Sequence, residues 1–176
     1  VLAINERNLT VINDDLSFAE AALAEPLACS VHAARLAIEL AGNDKNMTIA
    51  VLGGGAIGLL AALVFEAYGY SDIWIAETNP LRRKMLEGIG NMHAYDPRNG
   101  AMDEKQIDII IDAVGSGVTR KVASQRIRPG GTIVHIGLQD NEVGLDTRRL
   151  TLQEIKFQGT YCYRNSDFAE ALALLS

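Results

Sequence analysis

Cysteine is scarce in this chain, with 2 among 176 residues. Two cysteines cannot build a disulfide framework, and neither Cys29 nor Cys162 has a second cysteine at the short spacing that zinc sites use. We therefore expect both thiols to be small apolar packing residues in a reducing, cytoplasmic environment.

An excess of positive charge is also lacking. The chain carries 16 Lys and Arg against 22 Asp and Glu, which gives a net charge of −6 and an isoelectric point near 5.0. Because nucleic acids are held by clustered basic side chains, we do not expect a nucleic acid partner.

Long hydrophobic runs and targeting signals are missing too. The longest apolar run, residues 59–65, is far shorter than the roughly 20 residues that cross a bilayer. The first residues show no basic stretch followed by a long apolar one, so they do not look like a signal peptide. We therefore expect a soluble protein without a membrane partner.

Two helices are predicted in the first quarter of the chain. A capping box, Ser17 followed by Glu20, predicts a short helix over 17–24. A proline suited to a first helical turn and a glycine suited to a C-terminal cap then bracket a second helix over 26–41. Residues 1–12 are predicted to be a strand end and a loop.

From residue 47 onward, apolar runs of strand length alternate with amphipathic segments of helix length, which is typical of βαβ units. The predicted strands cover 48–52, 72–76, 92–94, 107–112, 132–138 and 155–163. The predicted helices cover 56–68, 80–88 and 118–127, with a last one opening at Ser166 or Asp167. The expected fold is α/β, a doubly wound Rossmann parallel sheet of about six strands with helices on both faces, preceded by a helical linker.

The connection over 95–106 departs from this scheme. It is short and contains a proline and a glycine, so we do not expect a full crossover helix there. This puts the adjacent rim of any ligand groove in doubt.

A G-x-G-x-x-G motif lies between the first predicted strand and the following helix. Gly53 permits a tight turn, Gly55 leaves space for a pyrophosphate, and Gly58 lets helix and strand pack closely. Ala56 and Ile57 open the helix, whose unpaired N–H groups and positive dipole end favour phosphates. The motif predicts dinucleotide binding; a tight turn without a ligand is the alternative.

An acidic residue, Glu77, ends the second predicted strand, 19 residues beyond Gly58. A carboxylate here can accept hydrogen bonds from both hydroxyls of an adenine ribose and would repel a 2′-phosphate, so NAD is favoured over NADP. Arg82 opposes this preference, because a nearby cation can accommodate the extra phosphate. Arg83 and Lys84 are expected to form a solvated helix face.

The second half of the sheet supplies further candidates at the same edge. Val114 and Gly115 follow the fourth predicted strand, and Ile136, Gly137 and Leu138 end the fifth. Because ligands bind beyond the carboxyl ends of such strands, we expect the backbone of these residues to contact ribose and nicotinamide. Both glycines are equally explained as ordinary turn residues.

Several segments in this order resemble the medium-chain dehydrogenase/reductase superfamily, and most of all its zinc-dependent polyol branch of sorbitol and threonine dehydrogenases. The segments are LSFAEAALAEPLACSVHAARLA, VLGGGAIGLLAALVFEAYG, IDAVGSG, RPGGTIVHIG and FQGTYCYR. The resemblance covers nearly the whole chain. It implies an oxidoreductase that transfers a hydride between a secondary alcohol or polyol and NAD, with zinc in the intact enzyme.

The catalytic residues that the resemblance implies have few counterparts here. The family's zinc ligands, a Cys and a His-Glu pair, precede the stretch that this chain covers. Glu25 matches the Glu of the family's Glu-Pro motif and is the single candidate metal ligand, although it is equally explained as an acid at a helix start. His32, His93 and His135 are scattered without metal spacing and are expected to be packing residues. No general acid or base can be assigned.

The resemblance also suggests how the chain is divided. We expect residues 1–44 to be a remnant of a catalytic lobe with linker helices, 45–165 to be the NAD-binding Rossmann domain, and 166–176 to be the start of a truncated C-terminal helix. On this reading the chain is part of a larger enzyme and is inactive alone.

Two other functions share the glycine motif. An FAD-binding flavoprotein also uses it, and Ala61 and Ala62 suit the flavoprotein helix, but flavoproteins usually place the motif at the chain start. A non-catalytic NAD-sensing module is the other alternative. A methyltransferase is disfavoured, because Gly58 lies within the opening helix.

The last predicted strand, 155–163, lies at an edge if the strand order is 3-2-1-4-5-6. It contains no proline and little charge, so nothing blunts pairing with a second chain. The resembling family forms dimers through this edge, and we expect a homodimer or tetramer. The alternative is an edge covered by the C-terminal helix or by another lobe.

Overall fold

The computed structural model describes residues 3–100, 102 and 104–176. In this part of the chain, six parallel strands form one sheet in the order β3-β2-β1-β4-β5-β6. The strands are β1 (Ile49–Leu52), β2 (Ile73–Ala76), β3 (His93–Tyr95), β4 (Ile107–Asp112), β5 (Ile127–His135) and β6 (Lys156–Gly159). The helices are α1 (Phe18–Ala21), α2 (Ala24–Ala41), α3 (Ala56–Ala67), α4 (Pro80–Leu86), α5 (Gly117–Arg126), α6 (Thr147–Leu152) and α7 (Asn165–Leu175). The predicted doubly wound α/β fold and its strand order are confirmed.

The centre of the sheet is buried on both faces. Ile109, Ile110 and Ile111 on β4 are fully buried, and alternate side chains of a strand point to opposite faces. Ile109 and Ile111 belong to the core cluster that contains α2 and α3, whereas Ile110 packs with Ala123 of α5. Burying each such side chain stabilises the fold by about 1.5–3 kcal/mol.

Helix α2 is part of this core. Its small residues Ala28, Ala34 and Ala37 are fully buried, and the helix packs against α3 and α7. By length and composition alone the stretch Phe18–Ala41 could cross a membrane, but its buried face makes α2 a core helix. The helix begins two residues before the predicted start, since Pro26 is tolerated in a first turn.

Helix α7 is held to α2 by buried charge. Asp167 is fully buried, and its carboxylate binds Arg35 Nη1 at 2.8 Å and His32 Nδ1 at 3.0 Å. The helices at both ends of the chain therefore share one core with the sheet. The division at residues 44 and 165 stays a prediction.

The second half of the sheet differs from the prediction in three places. Strand β5 begins at Ile127, five residues early, because Ile127 pairs with Ile107 across an irregularity in the register. Strand β5 ends at His135, so the prediction that Ile136, Gly137 and Leu138 end it is wrong, and these residues lie in the turn that follows. Strand β6 ends at Gly159, so residues 160–163 lie beyond it.

Two short segments were predicted differently as well. Helix α6 is absent from the prediction, because its sequence TRRLTL shows no apolar stripe. Residues 3–12 contain a 3-10 turn, Glu6–Asn8, and no strand, while residues 1 and 2 lie outside the described range. In the described part of the β3–β4 connection there is a 3-10 turn, Pro97–Asn99, and no α-helix, as the sequence predicts.

Candidate functional site

A groove of about 820 Å³ opens at the carboxyl ends of β1, β2 and β4. This is the edge at which doubly wound sheets bind ligands. One wall is formed by the β1–α3 turn and the end of β2, and the other by the β4–α5 turn and the exposed face of α5. Residues lining it include Gly53, Gly55, Glu77, Arg82, Arg98 and Val114.

The glycine-rich turn has the shape that the motif predicts. Gly53 has a φ of 100°, and its N–H donates to the end of β2 at 2.9 Å. A Cβ on Gly58 would overlap the carbonyl oxygen of Gly53, so only glycine lets α3 start this close to β1. Beside Gly55 the space is open, and Ala56 and Ile57 form the first turn of α3.

The start of α3 carries unsatisfied backbone donors. No side chain caps the helix, and its first intrahelical bond runs from Leu59 N–H to the Gly55 carbonyl at 2.9 Å. The N–H groups before Leu59 are thus available to an anion at the groove. Ser30 of α2 donates its hydroxyl to the Ile57 carbonyl at 3.2 Å and holds this turn in place.

Glu77 lies at the end of the groove beside β2 and is buried, with 4% of its side chain exposed. Its carboxylate accepts from Gly54 N–H at 3.2 Å and from Asn79 N–H at 2.7 Å, and it binds Arg82 Nε at 3.0 Å. Burial alone would raise the pKa of Glu77, but Asn79 and Arg82 favour the charged form and lower it. The carboxylate is therefore ionised and already paired.

Arginines surround this carboxylate. Arg82 is 55% exposed and lines the groove beside Glu77. The prediction of a solvated Arg83 is wrong: its Nη1 donates to the Glu77 carbonyl at 2.6 Å and lies 3.5 Å from Asp96. Lys84 is exposed, as predicted.

Arg98 is a groove residue that the sequence does not reveal. Its side chain is 66% exposed, donates Nε to Asp96 Oδ1 at 2.8 Å and donates Nη2 to the Thr78 carbonyl at 3.2 Å. Arg98 holds the pKa of the Asp96 carboxyl well below its usual range. No motif identifies Arg98, because its position depends on the 3-10 turn after β3.

The predicted residues of the second half lie in two adjoining turns, and of these residues only Val114 is among those that line the groove. Gly115 has a φ of 75°, and a Cβ there would overlap the backbone of Gly137, so these two glycines are needed where two chain segments touch. Ile136 packs against the core, whereas Leu138 is exposed.

The candidate metal ligand is isolated. Glu25 lies exposed in the first turn of α2. Across residues 3–100, 102 and 104–176, no three His, Cys, Asp or Glu side chains come together as metal ligands would. A catalytic zinc takes three protein ligands, so the residues described do not by themselves fit a zinc ion.

Each histidine has a structural contact, although His93 is exposed and the prediction that it is a packing residue is wrong. His32 binds Asp167, and His135 Nδ1 lies 3.0 Å from Asp112 Oδ2. His93 stacks on Trp74 with the ring centroids 4.6 Å apart.

The two cysteines differ from each other. Burial, together with nearby Glu25, raises the pKa of the Cys29 thiol to about 11, which suits the predicted packing role. Cys162 is exposed and has a φ of 49°, so the prediction that it is a packing residue is wrong.

The doubly wound sheet, the glycine turn and the acid that ends β2 define a Rossmann domain of the dinucleotide-binding type. A family model for zinc-binding dehydrogenases matches residues 56–176. The chain belongs to this family of zinc-binding dehydrogenases.

Polyol dehydrogenases are among its curated relatives. The chain is 30% identical over 165 residues to sorbitol dehydrogenase from Bacillus subtilis, covering 89% of this chain and 46% of the relative. It is 27% identical over 175 residues to D-xylulose reductase from Saccharomyces cerevisiae, covering 93% and 48%. The chain thus spans about half the length of the curated relatives it matches.

Solved structures show the same fold. A protein from Sinorhizobium meliloti 1021, assigned as a zinc-binding dehydrogenase and bound to NADP, is 26% identical with a TM-score of 0.81, over 93% of this chain and 50% of that one. The 2R,3R-butanediol dehydrogenase from Bacillus subtilis is 25% identical with a TM-score of 0.80, over 93% and 48%.

Proposed function

We propose that this chain is the nicotinamide-dinucleotide-binding part of an alcohol or polyol dehydrogenase. The observation that carries the proposal is the groove itself: free N–H groups at the start of α3 face the same space as the ionised Glu77. The first group suits a pyrophosphate and the second suits a ribose. The family match favours a nicotinamide cofactor over the flavin alternative.

The reaction class follows from the relatives. Sorbitol dehydrogenase, D-xylulose reductase and butanediol dehydrogenase act on polyols, ketoses or diols, so we infer a secondary alcohol or polyol as substrate. In such a reaction a hydride moves between the carbinol carbon and C4 of the nicotinamide. The part played by this chain is to bind the dinucleotide and orient its nicotinamide. Zinc in the intact enzyme would polarise the alcohol oxygen, using ligands other than those described here.

NAD is the proposed cofactor, because the Glu77 carboxylate disfavours a 2′-phosphate. The ion pair with Arg82 weakens that preference, since it neutralises the carboxylate and places an exposed guanidinium at the ribose end. We therefore infer a measurable but incomplete preference for NAD over NADP. The two reduced thiols support a cytoplasmic location.

Fluorescence titration of the chain with NADH tests the dinucleotide proposal. We expect saturable binding at one site, competition by ADP-ribose and no competition by FAD. A chain that binds FAD instead, or none of these compounds, contradicts the proposal.

We also propose a homodimer or tetramer formed through β6. This strand pairs with β5 on one side only, and its residues are mostly exposed. Two copies related by a twofold axis could join their sheets edge to edge.

A further inference from the structure

Asp112 joins two turns at the nicotinamide end of the groove. Its side chain is fully buried, and its Oδ1 accepts from Val114 N–H at 3.1 Å and from Gly115 N–H at 2.9 Å. Its main-chain oxygen accepts from Ile136 N–H at 3.0 Å and Gly137 N–H at 2.9 Å. One residue therefore binds both of the turns that follow β4 and β5.

The second carboxylate oxygen of Asp112, Oδ2, has partners on α5 and β5. Thr119 of α5 donates its hydroxyl to Oδ2 at 3.0 Å, and His135 Nδ1 lies 3.0 Å from the same atom. His135 is the register partner of Asp112 on β5, and its ring stacks on Phe157 of β6 with the centroids 5.6 Å apart. Because the Asp112 carboxylate accepts this hydrogen bond, Nδ1 of His135 carries the proton that it donates.

We propose that Asp112 and His135 are positioning residues for the nicotinamide ring of the dinucleotide. This inference rests on the proposed function. Gly115 and Gly137 touch backbone to backbone, so moving either turn moves the other. When His135 donates to Oδ2, the carboxylate plane is held with Oδ1 aimed at the Val114 and Gly115 N–H groups. Neither residue is among those that line the groove, and both act through these turns.

The adenosine end does not depend on this pair. Glu77, Arg82 and Arg98 are placed by the end of β2 and the turn after β3, on the other side of β1. A change at His135 therefore alters binding of the nicotinamide ring and leaves binding of the ADP-ribose part intact. A purely structural defect would weaken both.

The experiment compares two substitutions of His135. His135→Phe keeps an aromatic ring against Phe157 but removes the donor to Asp112. His135→Asn removes the ring but places an amide N–H two bonds from Cβ, as Nδ1 is. The control is His93→Phe on β3, where the histidine stacks on Trp74. Calorimetry measures the affinity of each chain for NADH and for ADP-ribose, which lacks nicotinamide, and thermal unfolding measures stability.

We expect His135→Phe to bind NADH about tenfold more weakly, as for the loss of one hydrogen bond to a charged group, and to bind ADP-ribose like the original chain. His135→Asn should retain NADH affinity despite lower stability, and His93→Phe should match the original chain for both ligands. Unchanged NADH affinity in His135→Phe, or equal losses for NADH and ADP-ribose, would overturn the inference and leave the dinucleotide function standing. An original chain that binds neither ligand would overturn the proposed function itself.

Discussion

The two ends of the groove are built differently. The proposed adenosine end presents charged side chains: Glu77 paired with Arg82, and Arg98 paired with Asp96, with both arginine side chains more than half exposed. The nicotinamide end presents backbone, held by the buried Asp112. We therefore expect that exposed side chains can be changed to alter selectivity for the ribose without disturbing the fold, and that the turn fixed by the buried carboxylate orients the nicotinamide.

The largest expected effect is at the glycine turn that both ends share. Gly58→Ala adds a Cβ that overlaps the Gly53 carbonyl, so α3 must shift. We expect a loss of about 1–3 kcal/mol in the free energy of unfolding and of at least about 100-fold in NADH affinity. Thermal unfolding and calorimetric titration measure the two quantities.

Gly88→Ala is the matched control, because the nearest atom to its added Cβ is the Met85 carbonyl at 3.7 Å. It should bind NADH like the original chain. Full NADH affinity in Gly58→Ala would show that the turn does not hold the pyrophosphate.

Substitutions of the Glu77–Arg82 pair should move cofactor preference in opposite directions. Glu77→Ala removes a hydrogen-bonded carboxylate that contributes about 1.5–3 kcal/mol, so the NAD preference should narrow by about tenfold or more. Arg82→Ala frees the carboxylate and should widen the preference. Titrations with NAD and NADP give the ratio of the two affinities for each variant. A ratio that changes in the same direction in Glu77→Ala and Arg82→Ala would contradict the roles given to this pair.

A proline at the unpaired edge of β6 tests whether this strand, which lies on the nicotinamide side of the sheet, pairs with β6 of a second copy. Thr160 N–H donates to His135 on β5 at 3.0 Å, and alternate N–H groups along a strand point in opposite directions, so the Gly159 N–H points outward. Gly159→Pro removes this donor and should convert a dimer into a monomer by light scattering. A chain that is already monomeric contradicts the dimer proposal.

The smallest expected effect is the pH dependence of the stability that Glu77 contributes. Glu77 has a pKa below its ordinary value of 4.5, so its ionised form stabilises the fold above that pH. The stability gap between the original chain and Glu77→Gln should be full at pH 7 and shrink as the pH falls below about 4.5 towards the lowered pKa. Chemical unfolding at pH 7 and pH 3 measures it; an equal gap at both values would mean that the charge of Glu77 adds no stability.

The sheet and one end of the groove could be predicted from the sequence because their signals are local. Three isoleucines in a row predict the doubly buried β4, and the glycine spacing predicts the β1–α3 turn. Glu77 follows from its distance along the chain, although its ion pair with Arg82 does not.

What could not be predicted depends on contacts between distant residues. Asp112 and His135 are 23 positions apart and meet only through the β4–β5 register. Helix α6 has no apolar periodicity and is held by Arg149, which donates to the Ser124 and Ile127 carbonyls, both at 2.7 Å. Such elements are determined by tertiary contacts rather than by local pattern.

A crystal structure of the chain with NADH tests the central claim most directly. We predict a pyrophosphate within hydrogen-bond distance of the N–H groups at the start of α3, with the adenosine ribose beside Glu77 and the nicotinamide beside Val114. A dinucleotide bound elsewhere, or bound in the groove with its two ends exchanged, would contradict the account.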